Sequence, residues 1–227
     1  MARTEFVCLH CGECCTDPLV QINLSFGDIL RLGEPVERLF SEGTIDFLPF
    51  FDPEELRYDI ELGLTKPCSF WKHDLCSIYR KRPLNCRMFP YYLISAFPAN
   101  ELKQIFGKEF KCVHELNLNE SVRKRYAKYS RSLGKFVMAE AKISDQLLGE
   151  LKKRFNFFPN GLEAGMPKSK QDERLRLQTA NKLVADLKTK ALVKAAISLI
   201  RSSRPLVSIA ELERLEKIIK FKSIAQK

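Results

Sequence analysis

The sequence predicts a mainly α protein, with an irregular cysteine-rich metal-binding domain over residues 1–119 and a basic helical region over residues 120–227. Three observations carry this reading. All eight cysteines precede residue 120. Pro49, Pro53, Pro67, Pro83, Pro90 and Pro98 punctuate residues 44–119, and each removes an amide donor and clashes with the preceding turn, so long helices are excluded there. From Glu120 onward, apolar residues return at helical intervals without proline until Pro159.

Taken in order, residues 1–20 hold four cysteines with Gly12 and Pro18 and read as a knuckle-like loop. Ser25 and Asp28 stand in capping-box spacing and open a short helix to Leu32. Pro35 suits the first turn of a second helix that stops at Gly43. Strands are expected at residues 57–62 and 91–96. The aromatic residues crowded between Phe47 and Phe97 read as core that also shields a metal site from water. Residues 122–153 read as one long helix, with Tyr126, Tyr129, Leu133, Val137 and Ala141 on its apolar stripe. A loop over residues 156–170 precedes a second long helix over 172–202. Pro205 ends that helix, and Ser208 with Glu211 caps a last helix through Phe221.

Composition narrows the function. The 29% charged fraction and sixteen phenylalanines exclude a disordered chain. The first cysteine, at position 8, leaves no space for a secretory leader. The apolar run around residues 191–200 is interrupted by Lys194 and falls short of the roughly 20 residues a spanning helix needs. A cytoplasmic chain is expected, in which thiols stay reduced and serve metal or catalysis rather than disulfides. The net charge of +10 is uneven: 13 basic face 17 acidic residues before residue 120, and 25 face 11 from residue 120 on. A basic helical face suits a protein partner or nucleic acid, although no nucleic-acid reader motif accompanies it.

The chemistry concentrates in Cys8-Leu-His-Cys11-Gly-Glu-Cys14-Cys15. Two residues between cysteines let a tight turn aim both thiolates at one ion, and Gly12 supplies the freedom such a turn needs. Cys68, Cys76, Cys86 and Cys112 bring the total to eight, enough for two four-coordinate sites or two iron–sulfur clusters. Cys14 and Cys15 are adjacent, and neighbouring side chains diverge, so one of them is expected to serve a second metal or none. The C-x2-C-x2-C start matches bacterial ferredoxin runs, whereas the contiguous fourth cysteine does not. All-thiolate sites suit zinc and iron–sulfur clusters alike, with the cluster favoured narrowly; His10, His73 and His114 lie close enough in sequence to complete a mixed zinc site.

These residues resemble the CxxCxxCC cysteine-cluster family, the YkgJ-type zinc- or iron-chelating domains. The resemblance runs from Phe6 to Cys15, through residues 24–32, and resumes at Pro67-Cys68-Ser-Phe70. It is most specific at Cys76-Ser-Ile-Tyr79-Arg-Lys-Arg82-Pro83-Leu-Asn-Cys86-Arg87-Met-Phe89-Pro90. Cys112 is similar to a later cysteine of many members. The resemblance covers roughly residues 6–115 and implies that the cysteines are ligands, with a redox or metal-handling role. Arg82 and Arg87 flank Cys86 and are expected either to offset thiolate charge or to bridge a nearby carboxylate, with the Tyr79 hydroxyl donating into the same layer. A related domain looks like part of flagellin lysine-N-methylases, which implies S-adenosylmethionine-dependent lysine methylation as an alternative. No glycine-rich strand-to-helix turn of the usual methyl-donor fold accompanies it. A second alternative is nucleic-acid binding by the basic helices, with the cysteines holding a structural zinc.

Overall fold

A computed structural model describes residues 8, 11–52, 54–98, 100–102, 113, 119–158 and 161–219. After the short helix α1 (Glu13–Thr16) and strand β1 (Ile22–Asn23), helix α2 (Phe26–Leu32) starts where the sequence places it. The Ser25 side chain accepts from the Asp28 amide while the Asp28 carboxylate accepts from the Ser25 amide, and Gly33, with φ 75°, stops the helix. Helix α3 (Val36–Ser41) follows Pro35.

Next comes a hairpin that the proline count concealed. Strands β2 (Ile45–Asp52) and β3 (Arg57–Leu64) pair antiparallel from Ile45↔Leu64 to Asp52↔Arg57. In the sheet order β1-β3-β2, β2 lies at an edge. An edge strand has an unpaired side, so Pro49 can sit within it without breaking the sheet. Alternation puts Ile45 and Phe47 of β2, and Tyr58, Ile60 and Leu62 of β3, into the core. Trp71–Lys72 (β4) and Leu75–Cys76 (β5) form a second, two-residue ladder. Its loop is His73-Asp74, with φ of 51° and 59°, and positive φ at both central residues matches the right-handed twist of a tight hairpin.

A 3-10 turn (Tyr79–Lys81), α4 (Leu84–Met88) and α5 (Tyr91–Ala96) complete this half. Residues 91–96 are therefore helical rather than the expected strand. Pro90 opens the helix, and Tyr91 and Ile94, three positions apart, are both buried on one face of it.

Helix α6 (Glu120–Arg154) is capped by Asn119 and runs for 35 residues, roughly 50 Å at 1.5 Å per residue. It spans two apolar clusters. Near its start Val122, Tyr126, Tyr129 and Leu133 pack with Leu84, Tyr91, Ile94 and Leu212, and the Tyr91 ring meets Tyr126 and Tyr129 edge-on at 5.0 and 5.2 Å. Near its end Leu148 and Leu151 join Phe26, Ile29, Phe47, Ile60 and Ile200 in the other cluster.

Strand β6 (Leu162–Glu163) adds to β3 before α7 (Lys170–Leu187) and α8 (Lys190–Ser202). The sequence reads these two helices as one. The chain breaks instead at Lys188-Thr189, because the Thr189 hydroxyl accepts from the Leu192 amide and caps a new helix, while Lys188 turns away to the Asp46 carboxylate at 2.5 Å. Helix α9 (Ile209–Glu216) has the expected Ser208/Glu211 capping box and ends in a 3-10 turn to Ile219. Residues beyond 219 of the expected last helix lie outside the described ones.

A buried ionic group locks α2 to α6. Arg31 donates to Asp28 at 2.6 Å and to both Glu140 carboxylate oxygens at 2.7 Å, and Ser25 donates to Glu140 at 2.7 Å. The helices approach so closely at this point that a Cβ on Gly27 would lie 2.5 Å from a Glu140 oxygen.

Candidate metal centre

The two apolar clusters meet along the cysteine segment. Cys8, Cys11 and Cys14 pack against the cluster around Tyr91, whereas Cys15, Cys68 and Cys86 belong to the cluster around Phe26. Local backbone geometry sets this seam. Gly12 has φ 82°, a conformation that L side chains rarely adopt, and its carbonyl accepts from the Cys15 and Thr16 amides at 2.7 and 2.9 Å. A Cβ on Gly12 would also lie 2.8 Å from the Trp71 ring, so glycine is needed there for the turn and for the aromatic neighbour.

From this turn the Cys15 carbonyl accepts from the Cys68 amide at 2.8 Å, and the Cys68 carbonyl accepts from Trp71 at 2.9 Å. Those two bonds stitch the second cysteine-bearing stretch to the first. Trp71 pairs with Cys76 across the small hairpin, which carries the third stretch to the same place. Cys86 arrives on α4.

Seven cysteines, Cys8, Cys11, Cys14, Cys15, Cys68, Cys76 and Cys86, line one cavity of about 90 Å³. Trp71, Tyr79, Ile22 and Phe89 supply its apolar wall, and Lys66 and Arg82 its cations. The Cys14 and Cys15 sulfurs lie 3.9 Å apart. Among the described residues, no group of three or more His, Cys, Asp or Glu side chains is already drawn together to hold one ion. His73 is exposed at its hairpin tip and is not among the residues lining the cavity. Cys112, His10 and His114 lie outside the described residues.

The electrostatics of this cavity follow from burial beside few compensating charges. Burial pushes the Cys68 and Cys86 thiols up and carries Cys76 to about 11. Cys14 moves the other way: the hydrogen bond with Cys15 holds it below the ordinary thiol range, helped by the Lys66 ammonium, while Cys15 is raised in return. Lys66 also donates to the Cys14 carbonyl. These thiols are half-buried, with Cys68 buried, and a borderline or soft cation would compensate the burial that raises Cys68, Cys76 and Cys86. The all-sulfur donor set fits iron or zinc, and Cys8, Cys11, Cys14, Cys15, Cys68, Cys76 and Cys86, which line the cavity, are the residues that could hold it.

The motif arginines act through a carboxylate. Arg82 lines the cavity, but its Nη2 donates to Glu216 at 3.0 Å, and its guanidinium lies 4.1 Å from the Tyr79 ring centre. Arg87 is 1% exposed, donates to the same Glu216 at 2.7 Å and to the Arg82 carbonyl at 3.0 Å. Arg80 pairs with Glu213 at 2.7 Å. The carboxylate bridge expected for Arg82 and Arg87 is formed at Glu216, and the Arg82 charge also acts to lower the Cys76 and Cys86 thiols against their burial. Glu216 itself was not singled out from sequence, yet a signal exists: a carboxylate in the last turn of a helix opposes the helix dipole and calls for compensating cations. Lys66 was likewise not singled out, because only the fold brings it to the thiols.

Thiols from four separate stretches around one cavity, backed by an ionic layer, define a cysteine-rich chelating module. Residues 7–112 match the family model CxxCxxCC, described as a "putative zinc- or iron-chelating domain". No curated protein and no solved structure gives a match. None of the described helices is long and apolar enough to cross a membrane.

Proposed function

We propose that this chain is a YkgJ-type protein of the cytoplasm that holds an iron–sulfur cluster in the cysteine cavity and uses it in redox or metal-handling chemistry. The observation that carries this reading is the convergence of seven thiols on a single apolar-walled cavity. A zinc site and an iron–sulfur cluster each take four cysteine ligands, so seven thiols exceed the need of either; the all-sulfur donor set behind an apolar, aromatic wall favours the cluster. When bound, the cluster supplies one-electron chemistry; the protein supplies the thiolates, excludes water with Trp71, Tyr79 and Phe89, and sets the local charge with Lys66 and the Arg82–Glu216 pair.

Absorption spectra and acid-labile sulfide analysis of protein purified without air test the choice of metal. Broad visible absorption with sulfide matching iron is expected. Stoichiometric zinc without sulfide would replace the cluster by a zinc site and keep the cysteines as ligands.

A further inference from the structure

A second, larger depression opens beside the cysteine cavity. This cleft of about 560 Å³ lies within the size range of small-molecule sites. Of the seven described cysteines, Cys76 alone lines both the narrow cavity and the open cleft; Ile78 and Tyr79 also face both. The other six reach only the narrow cavity. Cys76 is therefore the thiol that a molecule in the cleft can meet.

Charge in the cleft points to the class of that molecule. Its wall carries Arg38, Lys72, Arg80 and Lys81 against Glu34 and Glu42. Both carboxylates are engaged by Arg38, at 3.4 and 2.9 Å, and Arg80 is held by Glu213. Lys72 and Lys81 are exposed and have no carboxylate partner among the described residues; Lys81 donates only to the Leu32 carbonyl, at 3.4 Å. Two uncommitted ammonium groups beside an accessible thiol favour a small anion that itself binds metal.

Resting on the metal-binding reading above, we infer that the cleft is the loading site, where metal arrives as the complex of a small anionic thiol and Cys76 is the receiving ligand. Lys72 and Lys81 bind the carboxylates of the carrier. In the transfer, one metal–sulfur bond to the carrier breaks as one to Cys76 Sγ forms. The proton leaving Cys76 passes to the released carrier thiolate, and no electrons move.

The test uses reduced, metal-free full-length protein, with zinc offered either alone or as its glutathione complex, and follows the rate of uptake. Reversing both charges in Lys72→Glu/Lys81→Glu is expected to slow uptake from the glutathione complex about tenfold, in keeping with electrostatic steering, and to leave uptake of zinc alone undiminished. Lys190→Glu/Lys194→Glu, on the separate α8 cleft, is expected to match the native protein with both sources.

Equal rates for the native and Lys72→Glu/Lys81→Glu proteins with the glutathione complex would overturn the inference, as would equal slowing by the α8 control. Failure of the native protein to take up zinc from either source would instead strike the metal-binding reading itself.

Discussion

The Arg87 guanidinium, 1% exposed, meets the Glu216 carboxylate at 2.7 Å, and Arg82 shares that carboxylate at 3.0 Å. One residue on the last turn of α9 thereby anchors both arginines that flank Cys86 in the chain. The family match ends at residue 112, so an ionic partner of its arginine motif comes from the part of the chain that the match does not cover.

Glu216→Gln keeps the shape of the side chain and removes its charge. Hydrogen bonds to charged partners contribute about 1.5–3 kcal/mol, so a loss of about 2 kcal/mol is expected in denaturant unfolding. Arg82→Ala is expected to lower metal occupancy or stability, because Arg82 lines the cavity and shares the same carboxylate. Unchanged metal content together with an unchanged melting temperature would remove that role.

Glu140 gives the fold a defined acid sensitivity. Burial acts to raise its carboxyl, but Arg31, Ser25 and the Leu206 amide together hold it below its ordinary value of 4.5. A folded value below the unfolded one means that the Glu140 contribution is complete above about pH 4.5 and vanishes as the pH falls through the lower folded value. Asp28 works in the opposite sense, since burial raises its carboxyl, and so favours the folded state at low pH. Glu140→Gln is expected to cost about 3 kcal/mol at pH 7, by leaving Arg31 short of a buried counter-charge, and to flatten the acid limb of the stability profile. An acid limb of native steepness in the variant would assign that sensitivity to other carboxylates.

Glycine substitutions separate packing from propensity. A Cβ on Gly27 would lie 2.5 Å from the Glu140 carboxylate, whereas nothing lies within 4 Å of a Cβ on Gly134 or Gly149 of α6. Gly27→Ala is expected to destabilise the protein by about 1–3 kcal/mol. Gly134→Ala and Gly149→Ala are each expected to stabilise it by about 0.5–1 kcal/mol, by relieving the entropic cost of glycine in a helix. Thermal unfolding of the three variants checks the signs.

Much of the helical layout is legible in the sequence because caps act locally. Ser25 with Asp28 and Ser208 with Glu211 mark helix starts that the structure reproduces as full capping boxes. The hairpin Ile45–Leu64 was only half legible: residues 57–62 read as strand, but Pro49 masked its partner, since edge position is a property of the sheet and not of the segment. Residues 91–96 read as a possible strand in a proline-punctuated stretch, and the packing of Tyr91 against Tyr126 and Tyr129 decides for helix.

At the candidate site, the cysteines declare themselves by spacing, and the arginines by the motif around Cys86. Lys66 and Glu216 are invisible in the sequence, because their relation to the thiols is created by contacts such as Lys66 with the Cys14 carbonyl and Arg87 with Glu216. Gly12 was legible as a turn, and its second role, making space for Trp71, was not.

X-ray absorption at the metal edge, on native protein purified without air, probes the shared-sulfur centre most directly. A first shell dominated by sulfur at about 2.3 Å is expected. A shell of oxygen or nitrogen, or protein without metal, would contradict it.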